Sequence, residues 1–261
     1  MAVPGKSQPT TTPPPELAET ELFAVDAYRR DFEAEVVEVD PDNARVLLSR
    51  TAFFPGGGGQ PHDIGWLTIG GQRVDVVKAA RDGGRVWHWL EPSGPLDAAS
   101  RGQAVFGELD WTRRHLTMRT HTALHILCGV IWAEYQIPVT GGNMDVGTGR
   151  LDFPFEAMSA ELGERMERRI NDEIAASRDI VVEFLGRDLA DEDPALIRTA
   201  ANLIPRSIDP LRIIDIVGLD KQADGGTHVV STAEVGRVRV TGTESKGKGN
   251  KRIRIAVEDA G

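Results

Sequence analysis

One cysteine stands in 261 residues. A disulfide framework needs cysteines in pairs, so that class is excluded. Long apolar runs are missing too: no stretch of about 18 apolar residues occurs, so no membrane-spanning helix is expected. An excess of basic charge is also absent. Thirty Lys and Arg face forty Asp and Glu, a formal charge of −10, which argues against sequence-blind coating of nucleic acid through a basic surface. A nucleic-acid partner would have to meet a local basic patch. Residues 1–18 (MAVPGKSQPTTTPPPELA) hold five prolines and almost no large apolar side chain. They match neither a secretory signal nor an Arg-rich transit peptide and are expected to form a disordered tail. One thiol without an export signal points to the cytoplasm.

What is present suits a globular chain: 40% apolar and 27% charged residues, long enough for one large or two modest domains. Residues 19–110 read as β. Alternation over 32–39, a turn at Asp40-Pro41-Asp42-Asn43 and a second run over 44–50 make a hairpin. Short runs at 66–69, 73–78 and 85–90 follow, with Gly70-Gly71 and Asp82-Gly83-Gly84 as turns. This spacing suggests a small barrel. Residues 111–261 read as α+β. A helix is expected over 114–135. A second, over 159–176, carries Leu162, Met166, Ile170 and Ile174 on one face. Strands are expected at 180–184, 211–217, 228–232, 237–241 and 252–257. The fold class is therefore α+β, a small N-terminal β-barrel followed by helices packed on an antiparallel sheet.

Four words in the sequence bear on chemistry. In Arg119-Thr-His121-Thr-Ala-Leu-His125 two imidazoles lie one helical turn apart on one face, where they can share a metal. Spacing alone leaves open a pair that faces core or solvent. Thr122 follows the first His where a metalloprotease helix carries its general-base Glu, so that chemistry is disfavoured. In Gln222-Ala-Asp224-Gly-Gly-Thr-His228 two glycines make a turn between a carboxylate and an imidazole, and they let backbone approach a ligand closely. The run Thr51 to Gly65 holds Gly56, Gly57, Gly58 and Gly59 before Gln60. Clustered backbone N–H groups there can receive an anion, although neither a Walker loop nor a dinucleotide fingerprint is present. Thr140 and Asn143, beside Gly141-Gly142, are able to line a small polar pocket. Cys128 reads as a packed core residue.

Charge is uneven along the chain. Residues 156–193 hold twelve acids and five bases, a net of −7, whereas 236–254 hold seven bases and one acid, a net of +6. The basic stretch includes Lys246, Lys248, Lys251 and Arg252 and is suited to a phosphate backbone. Arg113 and Arg114 would extend it.

Taken in order, TAFFPGGGGQPHDIG, RTHTALH, GRLDF, QADGGTHVVSTAEVG and ESKGKGNKRIRI resemble the AlaX family of freestanding alanyl-tRNA editing proteins, in its longer two-domain form, and the editing domain of alanyl-tRNA synthetase. The resemblance covers about residues 22–257. It implies an editing domain over 111–261 and one Zn²⁺ per chain, held by His121, His125 and His228. The family's commonest fourth ligand is a Cys, and Asp224 stands in its place. Asp224 either binds through oxygen or leaves three His and an open position. The implied reaction is hydrolysis of the ester joining a wrong amino acid, serine or also glycine, to tRNA(Ala). Expected substrate contacts are Thr51, Gly57, Gly58, Gly59, Gln60, Thr140, Asn143 and Gln222. Expected tRNA contacts are Arg113, Arg114, Lys246, Lys248, Lys251 and Arg252. Two other readings compete: a non-catalytic tRNA-binding module, suggested by Asp224 and the basic stretch, and a metal-dependent hydrolase of a small ester, suggested by the charge of −10.

Overall fold

The computed structural model describes residues 10–91, 100–156, 160–200, 204–245, 247 and 249–259. Contacts divide the chain into two compact units, Pro15–Thr117 and a second made of Met1–Pro14 with Met118–Gly261. The fold class is α+β, as the pattern of runs implies.

In the first unit six strands close into a barrel: β1 (Asp31–Asp40), β2 (Arg45–Leu48), β3 (Gly65–Ile69), β4 (Gln72–Asp82), β5 (Arg85–Leu90) and β6 (Ala104–Leu109). Their order around the barrel is β1-β2-β5-β4-β3-β6, antiparallel throughout. Alternation sends Phe32, Ala34 and Val36 of β1 inward, to meet Val46, Leu67, Val76, Val86, Leu90 and Val105. The two-residue turns use Gly70-Gly71 and Gly83-Gly84, all at positive φ. That geometry matches the strand twist and costs non-glycine residues dearly. At Gly107 of β6 a Cβ would collide with the Phe32 ring, so glycine lets this aromatic fill the barrel.

Two short helices precede the barrel, α1 (Pro15–Thr20) and α2 (Leu22–Val25). Residues 15–18 of the expected tail are thus helical, with Leu17 packed against the barrel core. Thr10 exchanges backbone hydrogen bonds with Phe184 (3.1 and 2.7 Å) within the second unit. Residues 1–9 lie outside the described residues.

The second unit is organised around α3 (Trp111–Tyr135), whose residues 111–117 fall in the first unit. The helix starts before the expected 114 because the Asp110 carboxylate accepts the Arg113 N–H (3.0 Å), an N-terminal cap. From Thr117 to Ile131 every residue is buried. A helix buried on all faces carries little amphipathic signal. A four-stranded sheet runs β12-β13-β8-β7, from β7 (Gly141–Asp145), β8 (Thr148–Phe153), β12 (Arg237–Ser245) and β13 (Lys251–Glu258). A three-stranded sheet runs β11-β10-β9, from β9 (Ile180–Leu185), β10 (Leu211–Ile216) and β11 (Asp220–Ala223). The amphipathic helix α4 (Ala160–Ala175) buries Met166, Ile170 and Ile174 and packs on β12. The strand expected at 228–232 does not form. The Val229 N–H turns to the Thr122 hydroxyl on α3 (3.4 Å) instead of a neighbouring strand, and only Ser231 makes an isolated bridge, to Asp179.

Two glycines let strands crowd α3. A Cβ on Gly149 would stand 2.9 Å from Leu124 Cδ1, and one on Gly129 would stand 2.9 Å from Leu219 Cγ and 3.0 Å from Asp220 Cβ. The first close approach brings β8 onto the helix, and the second brings the β10–β11 turn. Both lie within about two turns of His121 and His125.

Candidate metal centre

The helical spacing of four stacks His121 and His125 on one face of α3, with ring centroids 5.1 Å apart. The Gly225-Gly226 turn reverses the chain after β11 and delivers His228, whose ring lies 4.3 Å from His121 and 4.8 Å from His125. Asp224 completes the group. One ligand atom from each of His121, His125, Asp224 and His228 lies within 4.8 Å of the others. Two donors of a tetrahedral ion, each bonded at about 2.1 Å, stand about 3.4 Å apart, so binding would draw the four atoms inward. The cluster therefore fits a single ion with small side-chain adjustment.

The turn is held from two sides. Asp224 Oδ2 accepts the Gly226 N–H (2.6 Å) and contacts His228 Nε2 (3.2 Å), while Oδ1 lies 3.7 Å from His121 Nε2. The buried Arg212 guanidinium donates to the Asp224 and Gly226 carbonyls (3.0 and 2.7 Å). Burial brings its pKa down to about 10, against an upward pull from the Asp224 charge.

Protonation suits metal binding. Burial pushes His121 down to about 4 and His228 well below the usual imidazole range, despite Asp224 beside both. Burial also opposes the charge on Asp224, but His121 and the hydrogen bond to His228 outweigh it and hold the carboxyl well below its ordinary value. Neutral imidazoles and an ionised carboxylate are the ligand forms. His125 differs: burial lowers it, but the hydrogen bond to Asp220 and the charges of Asp220 and Asp224 leave it raised. Cys128 is buried, and burial pushes its thiol up, so it is neither nucleophile nor ready ligand.

The other expected site residues fall in different places. Gln222 lies beside the cluster, its amide donating to Asp220 Oδ2 (2.7 Å) and Cys128 Sγ (3.4 Å). Thr140 is exposed and donates to Asn250 Oδ1 (3.1 Å); Asn143 is exposed on β7. Thr51 belongs to the barrel unit, where its buried hydroxyl pairs with His88 Nε2 (2.8 Å) and accepts the Phe53 N–H. Gly57 and Gln60 bridge each other through backbone hydrogen bonds (3.1 and 2.9 Å), with Gly58 and Gly59 at φ +60° and +92° between them. The Gly-rich run is a tight turn that only glycine enters without strain.

The basic stretch needs correction. Arg114 is a core cation, fully buried, and its guanidinium is spent on Asp63 and on the Ala27 and Ala52 carbonyls. Asp63, in the Gly-rich word, supplies the carboxylate that makes this burial possible, so Arg114 is no phosphate contact. Lys251 is buried and ties its own loop, donating to Ser245 Oγ and the Gly247 carbonyl. Arg252 forms a two-bond pair with Asp152 (2.7 and 2.8 Å), and Arg254 pairs with Glu244. Arg113 donates to the His62 carbonyl (3.2 Å). Lys246 and Lys248 lie outside the described residues. The net of +6 thus overstates the free charge, because partners such as Asp152 come from other strands.

Sequence reasoning passed over Asp220. Its signal is the period-two run Asp220, Gln222, Asp224, which puts three polar side chains on one face of a strand that leads into the turn.

A barrel followed by an α+β unit carrying this donor set defines a class. Residues 211–254 match the family model for the second additional domain of threonyl and alanyl tRNA synthetases. The chain is 34% identical over 240 residues to the alanyl-tRNA editing protein AlaX-M of Saccharolobus solfataricus, covering 91% of this chain and 98% of that one. It is 33% identical to AlaX-M of Methanosarcina mazei, covering 91% and 96%. It also matches the alanine–tRNA ligase of Pyrococcus furiosus at 33% identity, over 92% of this chain and 26% of the ligase. The chain belongs to the AlaX-M family of alanyl-tRNA editing proteins.

Proposed function

We propose that this protein edits tRNA(Ala) in trans, hydrolysing the ester that joins a wrong amino acid to the tRNA, with serine as the main target and glycine a second. The observation that carries the reading is a four-donor cluster built from His121, His125, Asp224 and His228 in a chain that spans 98% of an AlaX-M relative. Those four residues would hold one Zn²⁺. A bound ion at such a site supplies Lewis-acid polarisation, a water of lowered pKa, or an anchor for an amino group.

The chain's own residues set the conditions around that centre. Arg212 holds the backbone of the turn through the Asp224 and Gly226 carbonyls, and the Gly226 N–H donates to the Asp224 carboxylate. Burial keeps His121 and His228 neutral and able to donate a lone pair. Distinguishing serine from alanine turns on one hydroxyl, and a site that hydrogen-bonds it discriminates best. Gln222, next to the cluster, is the leading candidate, with Thr51, Gly57, Gly58, Gly59, Gln60, Thr140 and Asn143 as further ones. Arg113, Lys246 and Lys248 are the candidates for tRNA phosphate, and Arg252 becomes one only by releasing Asp152. No helix among the described residues is long and apolar enough to cross a membrane, and we place the protein in the cytoplasm.

The test is deacylation of Ser-tRNA(Ala) by metal-supplied protein, with Ala-tRNA(Ala) as control. Release of serine well above the buffer rate is expected, and a rate equal to buffer overturns the reading. Salt-sensitive tRNA binding without turnover would instead identify a binding module; turnover of small esters without tRNA binding would identify an unrelated hydrolase. Elemental analysis of Asp224→Ala and Asp224→Cys tests the fourth ligand. Metal content should fall in the first and hold in the second, because a thiolate is the softer donor for zinc. Unchanged content in Asp224→Ala removes Asp224 from the donor set.

A further inference from the structure

Asp220 is not one of the four donors that converge on the centre, yet it is among the most buried acids in the second unit, 2% exposed. Its Oδ2 meets His125 Nδ1 at 3.0 Å and accepts from the Gln222 amide at 2.7 Å. Its Oδ1 lies 2.9 Å from Arg198 Nη1. Arg198 is itself fixed, stacked 5.0 Å over Trp132 and donating to the Ala195 carbonyl. Oδ2 is thus held by the Gln222 hydrogen bond and Oδ1 by the Arg198 charge, at an ion-pair contact without hydrogen-bond geometry.

The approach is built into the backbone. A Cβ on Gly129 would stand 3.0 Å from Asp220 Cβ, so glycine one turn beyond His125 lets the β10–β11 turn press against the helix. Contact with Asp220 through Nδ1 commits the other nitrogen, Nε2, of His125 to the side facing His228 and Asp224. His228 receives the same treatment from Thr122, whose hydroxyl lies 3.2 Å from Nδ1. Metal-bound imidazoles commonly use a second partner on the remote nitrogen to fix ring orientation and tautomer.

We infer that Asp220 is a positioning residue for the metal centre: it holds His125 through Nδ1, braced by Arg198 and Gln222, and thereby sets metal affinity. This rests on the metal reading proposed above. Asp220 does not itself act on the substrate. The neutral amide of Asn in its place keeps an oxygen that accepts from Nδ1 but loses the charge, whereas Ala removes both.

The experiment is cobalt(II) titration of the metal-stripped full-length protein against a competing chelator, reading affinity and the visible absorption spectrum. Wild type, Asp220→Ala, Asp220→Asn and Met166→Ala are compared. Met166 is buried in α4 and contributes no ligand atom, so Met166→Ala loosens the unit while leaving the four donors intact. Asp220→Ala is expected to bind cobalt about 10–100-fold more weakly, with an altered spectrum. Asp220→Asn should lose less, and Met166→Ala should match wild type in both readouts. Equal affinity and spectrum in Asp220→Ala and wild type overturn the inference alone. An equal loss in Met166→Ala overturns it too, by showing that general loosening suffices. A wild type that takes up no cobalt overturns the metal reading and this inference together.

Discussion

Both units bury ionisable groups, and they handle them in opposite ways. In the barrel unit Arg114 closes on itself: Asp63 takes its charge, and two backbone carbonyls take further N–H groups. His88 and Thr51 likewise satisfy each other inside the barrel. In the second unit three imidazoles and one carboxylate bring a ligand atom each to within 4.8 Å. Like groups are crowded together there, and the pKa values of three of the four are driven well away from normal. Burial of charge alone therefore does not mark a site. Convergence of donor atoms of one kind does.

The sharpest break comes from removing that convergence. His121→Ala with His125→Ala takes two of four donors, and we expect metal content near zero and Ser-tRNA(Ala) release at the buffer rate. Elemental analysis and the deacylation assay measure both. Retention of either shows the cluster to be as closed a structural set as Arg114 and Asp63, and the contrast between the units fails.

The next effect is on stability rather than chemistry. Arg114→Ala strands the Asp63 carboxylate in the core, and breaking a buried pair in this way costs about 3–5 kcal/mol. Asp63→Leu combined with Arg114→Met replaces both charges with apolar bulk and should recover much of that loss. Chemical denaturation reads the difference, and metal content per folded chain should stay at the wild-type level. Reduced metal in folded Arg114→Ala would show that the barrel's ion pair serves the second unit's centre.

This contrast was only half legible in the sequence. His121 and His125 announce themselves because helical spacing is short-range, and the Gly225-Gly226 turn marks His228 for the same reason. Asp220 was hidden because its importance depends on the close approach at Gly129, which joins segments about ninety residues apart. Arg114 was misread because its partner Asp63 lies fifty-one residues earlier, so a string of basic letters looked like free charge. Lys251 and Arg252 mislead in the same way, through Ser245, Gly247 and Asp152. The barrel was visible in its glycine turns and alternating strands. β7 is missing from the expected strands because Gly141-Gly142 hide it. The run at 228–232 was read as strand because nothing local reveals that Thr122 takes the Val229 N–H.

The smallest expected effect tests the barrel's own buried imidazole. His88 is fully enclosed, and burial brings its pKa down to about 4 from 6.5, against a weak pull the other way from the Val46 carbonyl. An imidazole held below its unfolded value binds its proton more readily once the chain unfolds. Its contribution is therefore whole above about pH 6.5 and is lost as pH falls toward 4. A gap of about 2.5 units corresponds to about 3 kcal/mol across that window. His88→Gln keeps a polar partner for the Thr51 hydroxyl but does not titrate, so the variant should lack this part of the slope. Denaturation of both proteins at pH 7, 5.5 and 4 gives the difference directly. Parallel curves would mean that His88 reaches solvent before the barrel opens, and the view of the first unit as a closed polar interior would fail at its centre.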